Sequence, residues 1–216
     1  MNVSGKEGAP GIDAVQKELL LLGFDARLAP AELNDLWPFR RKREALLRLD
    51  VRGPLSVDYL VWPTTRPLDD QTLGWRGPVQ VLWDDINSLE IHLESAPGRW
   101  WIVAAALELR SVPPAEQTEW RKRVTGMKAG PEWKNWKRLG YDVADRFLTS
   151  STLWFRPGES AEALRSEWGP HLNEHHLFSR FEAALEFRDR SNIRAPEHAP
   201  HYVYELFLGG EKNVGV

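Results

Sequence analysis

The sequence predicts an α+β fold: a single domain whose antiparallel sheet is centred on a three-strand meander at about 78–112 and packed by helices. Three observations carry this. Residues 99–109 are apolar on both strand faces, with Trp101, Val103, Ala105 and Leu107 on one and Trp100, Ile102, Ala104 and Ala106 on the other, which marks a strand buried mid-sheet. Just before it, Leu89, Ile91 and Leu93 alternate with Glu90, His92 and Glu94, the period of a half-exposed strand. Segments of helical period lie on both sides of this region, the pattern of helices packed on an antiparallel sheet.

Taken in order, residues 1–10 carry two glycines and a proline without a large aromatic and read as a disordered tail. Ile12, Val15, Leu19 and Leu22 recur at helical spacing, with Gly23 as a stop. Pro30 opens a short helix to Trp37, and helical spacing resumes over 39–49, fronted by Arg40, Arg41, Lys42 and Arg43. That basic cluster reads as a solvated face, although positive charge at a helix start opposes the macrodipole. Residues 55–62 alternate as a strand, ended by Pro63, and a loop rich in Pro, Gly and Asp follows over 64–77. The meander comes next, with turns at 84–88 and 96–98.

Pro113 and Pro114 end the sheet and begin a helix to about Val124, and Pro131 begins another to Leu139, closed by Gly140. Residues 141–155 fit no single period. Ser160 starts a helix through Trp168. Ser179 and Glu182 have capping-box spacing before Phe181, Ala184, Leu185 and Arg188, so a helix reaches about Arg190. Tyr202 to Leu208 alternates as a last strand, which leaves 11–208 as the domain and 209–216 as a C-terminal tail. No internal repeat is read.

Composition bounds the function. The chain of 216 residues needs no covalent staples, because a domain of that size buries roughly 70% of the surface its unfolded form exposes. It has no cysteine, which rules out disulfides, thiolate metal sites and a cysteine nucleophile. The longest apolar run, 100–107, is far shorter than the ~20 residues of a membrane span. The start lacks a secretory pattern, and a cytoplasmic protein is expected. The balance of 28 basic and 31 acidic residues argues against a general nucleic-acid binder.

Catalytic signatures are weak. His171 and His175 share a helical spacing that suits zinc, and His176, His198 and His201 follow, but the H-E-x-x-H pattern is absent. Glu90, His92 and Glu94 form a second small acid–base constellation, read as a wet strand face. No G-x-S-x-G or glycine-rich phosphate loop occurs. No catalytic residue, metal ligand or cofactor is therefore assigned, and the enzyme reading is left open on the side of "no".

The remaining anomaly is 120–138, where Trp120, Trp133 and Trp136 are interleaved with cations among eleven tryptophans in all. Trp120, Arg121, Arg123, Trp133, Trp136, Lys137 and Arg138 are read as a partner-binding surface, tryptophan and arginine being favoured interface anchors. The expectation is a non-enzymatic protein-binding protein, of the immunity or antitoxin type that inhibits another bacterial protein, with a toxin or effector as partner. The alternatives are a histidine-dependent metal hydrolase and a nucleic-acid module using 120–138, which stacked aromatics among cations would also suit. A membrane partner is not expected.

Overall fold

The computed structural model describes residues 17–28, 82–94, 97–125, 130–146, 166–173, 175, 177–194 and 196–215. The expected tail at 1–10, helices over 30–49, strand at 55–62 and loop at 64–77 lie outside these residues, as does His176. The described elements are β1 (Leu19–Leu28), α1 (Ile86–Leu93), β2 (Gly98–Glu108), α2 (Pro114–Val124), a 3-10 turn (Pro131–Asn135), β3 (Lys137–Asp145), α3 (Phe181–Arg194) and β4 (His201–Val214). The four strands make one antiparallel sheet in the order β1-β2-β4-β3. The α+β class and the central place of β2 are as expected. No described helix is long and apolar enough to cross a membrane.

The meander itself is corrected. Residues 86–93 form a helix, not a strand, because Asp85 caps them: its carboxylate accepts from the Asn87 and Ser88 amides at 3.2 and 3.1 Å. Leu89 and Leu93 satisfy a period of four as well as a period of two, and both are buried, while Ile91 is left outside at 67% exposure. Trp83 contributes a single bridge to Phe24 rather than a strand.

Two further expected helices are strands. Leu19 to Leu22 begin β1, and Gly23 is a bulge glycine at φ 151° instead of a helix stop. Helical structure after Pro131 stops at Asn135, and Gly140 is the bulge of β3 at φ 146°. The supposed tail is also structured, since β4 continues to Val214 against β2. The helices at 114–124 and 181–194 form where their starts and periods place them.

The ladder registers expose a relationship absent from the sequence reading. Gly23 pairs with Ala105, Phe24 with Ala104 and Asp25 with Val103; Gly140 pairs with Leu206, Tyr141 with Glu205 and Asp142 with Tyr204. The two halves therefore superpose, Gly23 on Gly140 and Ala104 on Glu205. The central ladder obeys the same rule: Ala104 faces Phe207 as Ala106 faces Glu205, about the Ala105–Leu206 pair. A pseudo-two-fold axis normal to the sheet passes through that pair.

Both outer strands repeat one device. Phe24 exchanges two backbone hydrogen bonds with Trp83 at 2.8 Å, and Tyr141 exchanges two with Phe178 at 2.9 and 2.8 Å. A Cβ on Gly23 would lie 2.7 Å from Leu82 Cβ, and one on Gly140 would lie 2.7 Å from Leu177 Cβ. Asp25 and Asp142 are buried, and each accepts from the amide of the next residue. Bulges and single bridges of this kind also blunt the exposed edges of a sheet.

Because side chains alternate across a strand, β4 divides the core. Tyr202, Tyr204 and Leu206 join Val103, Leu107 and Trp120 of α2 on one face. On the other face Phe207 joins Trp133, Ala104, Ala106 and the α1 leucines, and Val203 joins Phe181, Ala184 and Phe187 of α3.

Candidate functional site

The residues expected to form one binding surface are divided by the sheet. Trp120 is 1% exposed and meets Tyr202 edge-on at 5.4 Å on the α2 face. Trp133 is 5% exposed and meets Phe207 edge-on at 5.3 Å on the opposite face. Both are core residues, and this corrects the expectation that they share an accessible patch. The reason is local: the 3-10 turn ends at Asn135, so Trp133 and Trp136 do not form the stripe of one continuing α-helix.

Two cations of α2, Arg121 and Arg123, are engaged. Arg121 makes a bidentate pair with Glu18 at 2.9 and 2.7 Å. Arg123 pairs with Glu119 at 2.6 Å, and Arg146 reaches the same carboxylate at 2.7 Å. These pairs hold Glu119 and Glu18 below the usual carboxylate range, in each case chiefly through the arginine hydrogen bond. Arg121 and Arg123 thus clamp α2 rather than line an open surface with Trp133.

Trp136, Lys137 and Arg138 remain together on the α1/α3 face and its edge. Trp136 is half-buried, tilted against Phe24 at 5.6 Å. Its indole occupies the space of a side chain at Gly209, where a Cβ would meet the ring at 2.6 Å. Lys137 is exposed and has no ion pair among the described residues.

Arg138 leads to a feature the sequence reading missed. Glu205 is completely buried on the α1/α3 face, and its carboxylate is held by Lys17 Nζ at 2.9 and 2.7 Å and by Arg138 Nε at 2.5 Å. The Arg138 guanidinium lies 4.2 Å from the Tyr141 ring centroid and also donates to the Ser179 carbonyl at 3.1 Å. Buried Glu108, two residues beyond the Glu205 partner Ala106, pairs with Arg110 at 3.0 and 3.2 Å. Arg110 in turn covers the Phe181 ring at 4.1 Å. The result is a polar notch between the Trp133 and Phe181 clusters.

Burial pushes the Tyr141 phenol up, and the Glu205 charge adds to that, against Arg138 and Lys17. Burial alone would lower the Lys17 ammonium, but the hydrogen bond and charge of Glu205 outweigh it and hold Lys17 above its ordinary value. A signal for the notch was present in the chain: Val203, Glu205 and Phe207 share one face of an apolar strand, and a glutamate there must be paired if buried.

Comparison with family models, curated proteins and solved structures finds no match for this chain.

Among the described histidines, His175 and His201 do not converge. The His175 ring lies 6.2 Å from the Trp101 ring, whose residue pairs with Glu211. About 33 Å of strand, at the usual rise, separates Glu211 from His201. His201 is buried, with its Nδ1 2.9 Å from Asn192 Oδ1. Among the described residues no group of three or more His, Asp or Glu side chains is placed to hold a metal ion.

Proposed function

We propose that this protein is a non-enzymatic binding protein, of the immunity or antitoxin type, that inhibits another bacterial protein in the cytoplasm. The observation that supports it is Trp136 on its glycine bed. A partly exposed indole, backed by Phe24 and Gly209 and flanked in the chain by exposed Lys134, Lys137 and Arg138, is the make-up of an interface anchor with a cationic rim. The interface is smaller than the sequence implied: it keeps Trp136, Lys137 and Arg138 and loses Trp120 and Trp133. A single aromatic also offers a poor stacking platform for successive bases, which favours a protein partner over a nucleic acid.

The test is calorimetric titration against the product of the neighbouring gene. Trp136→Ala with Lys137→Glu is expected to weaken binding at least tenfold while the melting temperature stays within a few degrees. Unchanged affinity in the folded double variant contradicts the reading.

A further inference from the structure

We propose that Lys17 and Arg138, fixed by Glu205, form an anion-recognition notch that takes a carboxylate side chain of the protein partner; this rests on the partner-binding reading above. The pseudo-two-fold axis supplies the reference. Leu21, Phe24 and Ala104 of one half superpose on Arg138, Tyr141 and Glu205 of the other. The first trio is buried and apolar, so this backbone geometry is stable without any charge. The second half turns all three positions polar, and Lys17 crosses over from the strand β1 side to complete them. Burying a carboxylate costs stability unless it is paired, so the substitution calls for another reason than packing.

Charge counting gives the ligand class. One cation would neutralise Glu205, and two are present. The neighbours cancel: Glu108 with Arg110, and Glu182 with Arg180 at 3.7 Å. Among the described residues one positive charge is left over, which matches a carboxylate monoanion. Geometry agrees. Glu205 is fully buried, whereas the Lys17 and Arg138 side chains each keep 41% of their surface. Arg138 spends Nε on Glu205 and Nη2 on Ser179, and Nη1 has no acceptor among the described residues. With its plane fixed on Tyr141, the guanidinium presents an oriented donor edge, the arrangement that suits a carboxylate. Glu205 is thus a positioning residue for two cations.

The test uses the full chain and no partner. Acetyl-Gly-Glu-Gly-amide, its Gln counterpart and acetate are titrated at fixed ionic strength, with the Arg138 Nε–H and Tyr141 amide resonances as readout. The Glu peptide and acetate should shift both resonances saturably, and the Gln peptide should not. Arg138→Lys, which keeps the charge and loses the planar fork, should weaken the Glu peptide several-fold with the fold intact. Lys17→Met should weaken it at least tenfold, and Lys122→Met, on the exposed side of α2, should leave it unchanged. Equal responses to the Glu and Gln peptides, or none that saturates, overturn the notch. A response to acetate alone overturns the protein side chain as its source. In a second arm, Arg138→Lys should lower affinity for the neighbouring gene product several-fold; unchanged affinity there, with peptide binding intact, overturns the partner's carboxylate while leaving the Trp136 surface to its own test.

Discussion

Glu205 and Ala104 occupy equivalent positions in the two halves of the sheet, each directly opposite the aromatic that follows a bulge glycine, Tyr141 or Phe24. One scaffold therefore appears twice, once apolar and once charged. The difference between the copies identifies the residues that packing alone does not require.

The Glu205 network should respond non-additively. Lys17→Ala or Arg138→Ala alone leaves Glu205 one cation, and each surviving cation is partly hydrated, so each is expected to cost about 1 kcal/mol or less. Removing both strands a fully buried carboxylate, and the double variant should lose about 3–5 kcal/mol. Urea unfolding measures this, and simple additivity would show that Glu205 is solvated.

Glycine substitutions should sort by what surrounds them. At Gly140 a Cβ meets Leu177 Cβ at 2.7 Å and the Phe178 carbonyl at 3.1 Å at a φ of 146°, and Gly23 is equally confined. Gly210 has φ 157° but nothing within 4 Å. Gly140→Ala and Gly23→Ala should each cost about 2–4 kcal/mol from strain and overpacking together, and Gly210→Ala about 1 kcal/mol. Equal melting temperatures for Gly140→Ala and Gly210→Ala would remove the bulge–bridge device from the account.

The tryptophans should separate likewise. Trp120→Ala empties a core site and should cost about 3–5 kcal/mol. Trp136→Ala should cost clearly less, because Trp136 is only partly buried whereas Trp120 is wholly so. The reverse order in thermal unfolding would exchange their roles.

High pH should weaken the fold. Burial is the leading cause that raises the Tyr141, Tyr202 and Tyr204 phenols, and Glu205 raises Lys17 against its own burial. Groups with raised folded-state values stabilise fully below their unfolded values, near 10.0 for tyrosine, and that stabilisation is lost as pH rises through the folded-state values. Urea midpoints should hold up to about pH 10 and fall beyond it. Tyr202→Phe, which removes the hydroxyl bonded to Glu116 at 2.5 Å, should flatten that fall; an unchanged slope would show that Tyr202 titrates normally.

The elements with one consistent signal were legible in the sequence. Residues 98–108 admit no reading but a buried strand, and 114–124 and 181–194 have clear starts and periods. The errors share a cause. Gly23 and Gly140 each follow a leucine-containing run and resemble helix stops, yet both are strand bulges at positive φ. Leu89 and Leu93 fit two periods, and the Asp85 cap decides between them. The halves share Leu-Gly-aromatic-Asp at 22–25 and 139–142, but four residues stand out as a repeat only once the ladders align them. Of the proposed site, Trp136, Lys137 and Arg138 stand out in composition; Lys17 and Glu205 do not, because 188 residues of chain separate two groups that only the sheet brings together.

The most direct measurement is hydrogen–deuterium exchange of the full chain with and without the neighbouring gene product. The account predicts that binding slows exchange over 136–141 and leaves 121–124 unchanged. Protection confined to 121–124, or none in a complex shown to form, would contradict a binding surface at Trp136.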